Sequence, residues 1–310
     1  MLQYLNILLA DDAVSFCHYD VLTREKTRLI SLETLQKAIR FGMMENLMIQ
    51  FVYPKENLPD EYVEVIESID HFNIKTDSED ADVLVLNDWD FPTEDVDCPI
   101  VLRTMKEELF ARHAHLEVLL SKTPRLNIVI TDVESFTDED FKTYKNILAK
   151  LAKYVEEIYV SGKSVQLNIL TDRIMLSQMN NCGAGDTSIT LAPNGKFYIC
   201  PAFYYDDETD SVGDLEHGLN IKNQQLYKLE YAPICRRCDA WQCKRCIWLN
   251  RKTTLEENTP SHEQCVLGHL ERNASREMLQ NIRRHGTFMP NTEINEIDYL
   301  DPFDKRDEWQ

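Results

Sequence analysis

The sequence predicts an α/β fold with a mainly parallel sheet, in an open layer or a partial barrel, followed by a small cysteine-rich domain. Short apolar runs alternate with amphipathic stretches of helical period up to about residue 171, which is typical of βαβ units. Seven of the nine cysteines lie between Cys182 and Cys265. The strand-like runs are too few for a closed eight-stranded barrel.

Length and charge narrow the possible partners. The 310 residues suffice for two domains, and 33 basic against 53 acidic residues leave a net charge of −20. This charge repels phosphate backbones and anionic bilayers, so we expect neither nucleic acid nor a membrane as a partner. No signal peptide and no apolar run of about 20 residues is apparent, which predicts a cytoplasmic protein with reduced thiols.

The predicted strands are short runs rich in Val, Ile and Leu. Strands that alternate with helices imply right-handed crossovers and parallel neighbours. The runs are Tyr4–Leu9, Leu47–Tyr53, Val83–Asn87, Ile100–Arg103, Leu126–Thr131 and Val165–Leu170.

Helices are predicted between several of these strands. Ser31 is a plausible N-cap of a helix whose inner face includes Ile39 and Met43. Thr137, with Asp140 three residues later, resembles a capping box at the start of another helix. Further helices are predicted over Glu61–Ile69, Lys106–Leu120 and His262–Arg284.

The late cysteines are the candidate metal ligands. Pro193, Asn194 and Gly195 predict a tight hairpin turn, whose return strand leads to Cys200. Further on, two CxxC pairs separated by four residues put four sulfur atoms within a loop of about 12 residues, which suits zinc or iron–sulfur ligation. The seven candidates are Cys182, Cys200, Cys235, Cys238, Cys243, Cys246 and Cys265.

The chemistry of these cysteines favours iron–sulfur clusters. Crowded thiolates repel one another unless a cation neutralises them. Arg236, Arg237, Lys244 and Arg245 are interleaved with the CxxC pairs, and we expect them to lower the thiol pKa values unless they only form a solvated loop face. A zinc ribbon separates its CxxC pairs by about 15–20 residues, whereas four residues separate the two pairs here. Zinc is therefore the less favoured alternative, and disulfides are disfavoured in a reducing compartment.

The cysteine pattern resembles the SPASM domain, the auxiliary iron–sulfur extension of radical SAM peptide and protein maturases. Cys182, Gly195 and Cys200 match the first part of its pattern. The last five cysteines match the second part, although both inner gaps are one residue shorter. The resemblance covers residues 181 to 284 and implies two clusters of the [4Fe–4S] type.

The resemblance also implies how the clusters would be held. One cluster would have only three cysteines, which implies an open iron or a non-cysteine ligand such as Asp186. In this partition Cys182, Cys200 and Cys246 hold one cluster, and Cys235, Cys238, Cys243 and Cys265 hold the other.

The first half is similar in kind to the partial barrel of radical SAM enzymes but lacks their decisive motif. Those enzymes hold a cluster through CxxxCxxC after the first strand. Here that loop has only Cys17, with Val21 and Arg24 at the other two positions. We therefore expect that the chain does not cleave S-adenosylmethionine.

A radical-SAM-like barrel without its cluster, joined to a seven-cysteine module, is most similar to the CXXX-repeat peptide maturase family. The opening segment with Asp11, Asp12 and Phe16 to Tyr19 also resembles that family. The resemblance implies an accessory subunit of a ribosomal-peptide (RiPP) maturation system. Such a subunit would bind a cysteine-rich precursor peptide, a radical SAM maturase partner, or both. The alternative is a zinc-stabilised peptide- or protein-binding module with no redox role.

These inferences predict three consecutive regions. Residues 1–180 form a degenerate radical-SAM-like β/α domain, residues 181–285 a SPASM-like cluster domain, and residues 286–310 an acidic aromatic tail. The tail carries Phe288, Tyr299, Phe303 and Trp309, so it either docks on its own core or a partner, or is a loosely held terminus. No catalytic residues are predicted.

Overall fold

The computed structural model describes residues 1–21, 27–179 and 182–303. The strands in these ranges are β1 (Tyr4–Leu8), β2 (Met48–Val52), β3 (Phe72–Lys75), β4 (Val83–Leu86), β5 (Ile100–Thr104), β6 (Arg125–Ile130), β7 (Gln166–Leu167), β8 (Ser188–Leu191), β9 (Phe197–Tyr198), β10 (Gly213–Asp214) and β11 (Gly218–Leu219). The α-helices are α1 (Leu32–Met44), α2 (Asp60–Ile66), α3 (Lys106–Arg112), α4 (His115–Leu120), α5 (Asp138–Val160), α6 (Asn168–Met175), α7 (Pro201–Asp206), α8 (Ile247–Thr254) and α9 (His262–Ile282). None of the helices in the described ranges is long and apolar enough to span a bilayer.

The chain forms two compact units, each made of several segments. The first unit contains Met1–Trp89, Cys98–Arg103 and Cys182–Lys228. The second contains Asp90–Asp97, Thr104–Asn181 and Leu229–Gln310. The three consecutive regions inferred from the sequence stay a prediction.

A mainly parallel sheet forms the first unit. Its strands follow the order β5-β4-β3-β2-β1-β8-β9, and only β9 runs antiparallel to its neighbour. Strand β1 lies inside the sheet, where Leu5 pairs with Ile49 on one side and Ile189 on the other. Leu5, Ile7 and Leu8 are completely buried. A buried parallel strand is apolar on both faces, which explains the continuous apolar run. The predicted α/β class with a large parallel sheet is confirmed.

The predicted hairpin is also confirmed, whereas one strand of the sheet was missed. Strands β8 and β9 pair antiparallel across the turn, and Gly195 has a φ of 76°, which favours glycine. Strand β3 was not predicted because its residues form no buried apolar run. Phe72 is exposed, and the buried Asn73 is polar. The backbone N–H of Asn73 donates to the Asp82 carboxylate at 2.7 Å.

The second unit is built around the long helices α5 and α9. Thr137 and Asp140 form the predicted capping box, and the predicted inner face of α5 is buried, including Tyr144 and Leu148. The predicted strand over Val165–Leu170 is wrong after Leu167, where α6 begins. The Asn168 amide explains the change, because it accepts from the Ile128 N–H and donates to the Ile128 carbonyl, both at 2.9 Å. The side chain thus replaces a strand's backbone pairing and lets the chain turn into a helix.

Other helix predictions hold in outline. Ser31 caps α1 by accepting from the Thr34 N–H at 3.1 Å, but Met43 is 63% exposed, so its predicted inner position is wrong. The segment predicted as one helix over Lys106–Leu120 is divided into α3 and α4 near His113.

The tail packs along α9 up to residue 303. Arg283 donates to the carbonyl oxygens of Phe288 at 2.9 Å and Thr292 at 2.8 Å. Near the start of α9, the buried Asp301 carboxylate pairs with His262. The tail therefore docks on its own unit, and the loosely held alternative is wrong over this range. Trp309 lies outside the described residues.

Candidate metal centre

The seven candidate cysteines are divided between the two units. Cys182 and Cys200 belong to the first unit, where Cys200 immediately precedes α7. The other five belong to the second unit. Within the described ranges, five of the candidates form no disulfide, which argues against a cystine framework. They are Cys182, Cys235, Cys238, Cys243 and Cys265.

Burial and neighbouring thiols raise the pKa of three cysteines of the second unit. Burial raises the pKa of Cys235 to about 11, and the Cys238 thiol adds to this effect. Burial raises the pKa of Cys243 to about 12, with further increases from Cys235 and Cys238. Burial also raises the pKa of Cys265, with Cys243 and Cys235 as the next contributors among the thiols. These thiols therefore stay protonated near neutral pH unless a cation displaces their protons.

Backbone amides face two of these sulfur atoms. The Ala240 N–H donates to Cys238 Sγ at 3.4 Å, and the Arg245 N–H donates to the sulfur of Cys243. Each donor lies two residues after its cysteine, and Arg245 has a φ of 43°, in the left-handed region. A hydrogen bond to sulfur favours the thiolate, so both contacts lower the thiol pKa against the effect of burial.

The interleaved basic residues contribute less than the sequence suggests. Arg236 and Arg237 are exposed, as expected if these residues only form a solvated face of the loop. Only Arg245 is fully buried, at 2% exposure, and its charge lowers the pKa of Cys235 against burial. Its Nη1 donates to Asn258 Oδ1 at 3.0 Å. The predicted lowering of the thiol pKa is therefore confirmed for Arg245 acting on Cys235, but burial outweighs it and the pKa of that thiol is raised.

Sequence reasoning missed the residues around Cys238. His269 Nε2 lies 3.4 Å from Cys238 Sγ. Asp239 accepts a bidentate pair of hydrogen bonds from Arg272, at 2.9 and 2.6 Å, and one from Arg173 at 3.3 Å. Burial alone would raise the pKa of Asp239, but these two arginines lower it below its ordinary value. No local motif identifies these residues, because Arg173 is 66 positions from Asp239 in the chain.

A buried carboxyl group lies on the same helix as His269. Glu271 accepts hydrogen bonds from Tyr144 Oη at 2.8 Å and from Gln242 Nε2 at 3.3 Å. Burial raises the pKa of Glu271 to about 7. The Glu271 charge in turn raises the pKa of Cys243. A carboxyl group that titrates near neutral pH therefore acts on Cys243.

The spacing of the candidate ligands bears on which kind of metal group the four cysteines could hold. Among the described residues, no three His, Cys, Asp or Glu side chains lie close enough together to hold a single ion. One tetrahedral zinc ion, with Zn–S bonds of about 2.3 Å, needs its sulfur atoms within about 3.8 Å of one another. An iron–sulfur cluster binds each thiolate at a different iron, so it requires less crowding. Cys235 is buried, and Cys238, Cys243 and Cys265 are partly buried. The zinc alternative is not favoured.

The loop after β1, which contains Cys17, is held by an arginine. Arg103 Nε donates to the Cys17 carbonyl at 2.7 Å, and its Nη2 donates to the Tyr19 carbonyl at 2.7 Å and to Asp20 at 2.8 Å. Its Nη1 donates to Asn87 Oδ1 at 2.8 Å. A single guanidinium thus ties the loop to β5. Arg24 of the compared motif lies outside the described residues.

Comparisons with known proteins identify the fold. No family model matches the chain, and no curated protein matches it. The solved structure of a histidine-tagged anSMEcpe with bound AdoMet is similar with a TM-score of 0.64 and 14% identity, over 92% of this chain and 96% of that chain. The structure of native anSMEcpe with bound AdoMet and Cp18Cys peptide is similar with a TM-score of 0.62 and 13% identity, over 92% and 100%. At these identities the likeness shows the fold alone, which is that of the anSMEcpe structures.

Proposed function

We propose that the chain is an accessory subunit of a ribosomal-peptide maturation system. It binds a cysteine-rich precursor peptide, a radical SAM maturase partner, or both, and does not itself cleave S-adenosylmethionine. The observation that carries the proposal is the fold, which is that of anSMEcpe, a protein solved with AdoMet and with a peptide. In this chain the loop after β1 has Cys17 but Val21 in place of the second motif cysteine.

The proposal assigns iron–sulfur clusters to the seven late cysteines. Cys235, Cys238, Cys243 and Cys265 would hold one [4Fe–4S] cluster, which is supported by their full or partial burial and by the effect of Cys235 and Cys238 on the pKa of neighbouring thiols. The resemblance implies that the other three cysteines hold a second cluster. Such clusters supply an electron site or an iron that accepts a thiolate. The remaining three cysteines are Cys182, Cys200 and Cys246.

The surrounding residues would prepare the site for an anionic group. The Ala240 and Arg245 amides direct N–H groups at two sulfur atoms, which favours their deprotonated form. The buried guanidinium groups near Cys238 offset negative charge where water cannot. The aromatic tail residue Tyr299, whose ring centroid lies 5.7 Å from that of His269, helps to exclude solvent from this side.

The metal assignment is tested by purification without oxygen. Two [4Fe–4S] clusters predict about eight iron and eight sulfide per chain, with a visible absorption band. Cys235→Ser is expected to remove about half of this iron, because it deletes one ligand of the four-cysteine cluster. Cys98→Ser, a matched control outside the seven, should keep the full amount. About one zinc per chain and no visible band would contradict the assignment.

The accessory role is tested by product analysis and binding. With S-adenosylmethionine and dithionite, the chain alone should form no 5′-deoxyadenosine. A cysteine-containing peptide should bind the iron-loaded chain more tightly than its Cys→Ser version, because a thiolate can occupy an open iron. Formation of 5′-deoxyadenosine by the pure chain would refute the accessory role. Equal binding of the two peptides would refute the thiolate-binding role.

A further inference from the structure

The surroundings of Cys238 differ from those of the other three grouped thiols. Its sulfur has two hydrogen-bonding neighbours, the Ala240 N–H and His269 Nε2, both at 3.4 Å. Burial raises the pKa of Cys238, and the charges of Arg272 and Arg173 act against this rise. Two guanidinium groups against one carboxylate leave an excess positive charge beside this sulfur.

The two arginines have different roles. Arg272 uses all three of its nitrogen atoms, since it donates to Asp239, to Asn273 Oδ1 at 2.9 Å and to the Asn295 carbonyl. Arg272 therefore connects the loop that contains Asp239 to the tail at Asn295. Arg173, in contrast, donates to Asp239 from Nη2 alone, at 3.3 Å. Its Nε and Nη1 are buried and meet no hydrogen-bond partner in the part of the chain that the structure describes.

Leaving two guanidinium donors unsatisfied is costly. Arg173 is only 1% exposed, and its guanidinium carbon lies 3.9 Å above the centroid of the Trp241 ring. An unsatisfied buried donor destabilises the fold, and more so when the group is charged. Such donors call for an acceptor, which can be a water, an ion or a bound group. Trp241 lies between Cys238 and Cys243 in the chain, so the stacked guanidinium is held beside the metal-binding loop.

We propose that Arg173 is a positioning residue that sets the reduction potential of a cluster bound through Cys238, with His269 as its second contributor. This inference rests on the proposed iron–sulfur site. One-electron reduction adds a negative charge to the cluster, while no bond forms or breaks. A fixed cation in a medium of low dielectric stabilises the reduced state more than the oxidised state. Hydrogen bonds to the sulfur atoms act in the same direction.

The test is a dithionite titration of the anaerobically purified, iron-loaded chain, followed by electron paramagnetic resonance. Arg173→Met, which keeps the bulk on Trp241 but removes the charge, should lower the reduction equilibrium constant at least tenfold, or by about 59 mV for one electron. Arg173→Lys should recover part of this loss. Arg276→Met is the matched control, because Arg276 lies on α9 and pairs with Glu296 at 3.2 Å. Its potential should remain that of the wild type.

His269 provides a second and independent variant pair. His269→Phe removes the Nε2 atom that lies 3.4 Å from Cys238 Sγ, whereas His269→Gln keeps an amide that can donate to this sulfur. The potential should therefore fall in the first variant and recover in the second. If Arg173→Met does not retain its iron, the two His269 variants and Arg173→Lys test whether these side chains set the reduction potential. Unchanged potentials in fully loaded Arg173→Met and His269→Phe would overturn the inference and leave the proposed function intact. A wild-type chain without iron would overturn the proposed function first.

Discussion

The buried carboxyl group of Glu271 makes a quantitative prediction about stability and pH. Its two oxygen atoms accept from Tyr144 and Gln242, and burial raises its pKa from 4.5 to about 7. A pKa difference of about 2.5 corresponds to about 3 kcal/mol of folding free energy. Because the pKa is higher in the folded state, the stabilisation is fully present below pH 4.5. It is lost as pH rises to about 7.

The perturbation is Glu271→Gln, which removes the titration and keeps an acceptor for Tyr144. The Tyr144 hydroxyl is buried and donates to Glu271 Oε1 at 2.8 Å, so the amide oxygen can take over this bond. Between pH 4.5 and 8 the wild type should lose about 3 kcal/mol more unfolding free energy than the variant. At pH 8 the variant should be the more stable protein.

The assay is guanidinium unfolding under anaerobic conditions at four or five pH values in this interval. Glu277→Gln is the matched control, since Glu277 is an exposed glutamate on the same helix. Its stability should follow the wild-type curve at every pH. Parallel curves for the wild type and Glu271→Gln would refute the assignment of a raised pKa to this carboxyl group.

Three further predictions concern the second unit. Thr137→Ala removes the capping box of α5 and should cost about 1 kcal/mol in urea unfolding, and no loss would contradict the cap. Leu148→Ala opens a cavity at a completely buried position and should cost about 2–5 kcal/mol, whereas a cost below about 1 kcal/mol would contradict its burial. Deletion of residues 287–310 removes the Asp301–His262 pair and should speed amide hydrogen exchange in α9. Unchanged exchange would show that the tail does not protect the helix.

Local patterns in the sequence determined much of the fold. The apolar runs at Tyr4–Leu8 and Met48–Val52 became neighbouring parallel strands, because buried strands need apolar side chains on both faces. The starts of α1 and α5 followed from Ser31 and Thr137, whose side chains satisfy nearby backbone N–H groups. These features depend on residues within a few positions of one another, so a single sequence contains them.

Local sequence patterns predicted only part of the candidate site. The CxxC spacing indicated the metal chemistry, since the bite of Cys235 and Cys238 is set within four residues. Spacing did not indicate burial, which raises the thiol pKa values where interleaved cations alone would lower them. The exposed Arg236 illustrates the difference, because its charge lies in the loop but faces solvent.

The sequence alone determined most strands of the parallel sheet, the N-caps of α1 and α5 and the set of cysteines. Only the tertiary structure decided that α6 begins at Asn168, whose amide pairs with Ile128 of another strand. It also decided which cations surround the thiols, since Arg173 and Arg272 reach Asp239 from 66 and 33 positions away. Such contacts are selected by packing and by the need to pair buried charges, and neither requirement leaves a periodic or local signal in the chain.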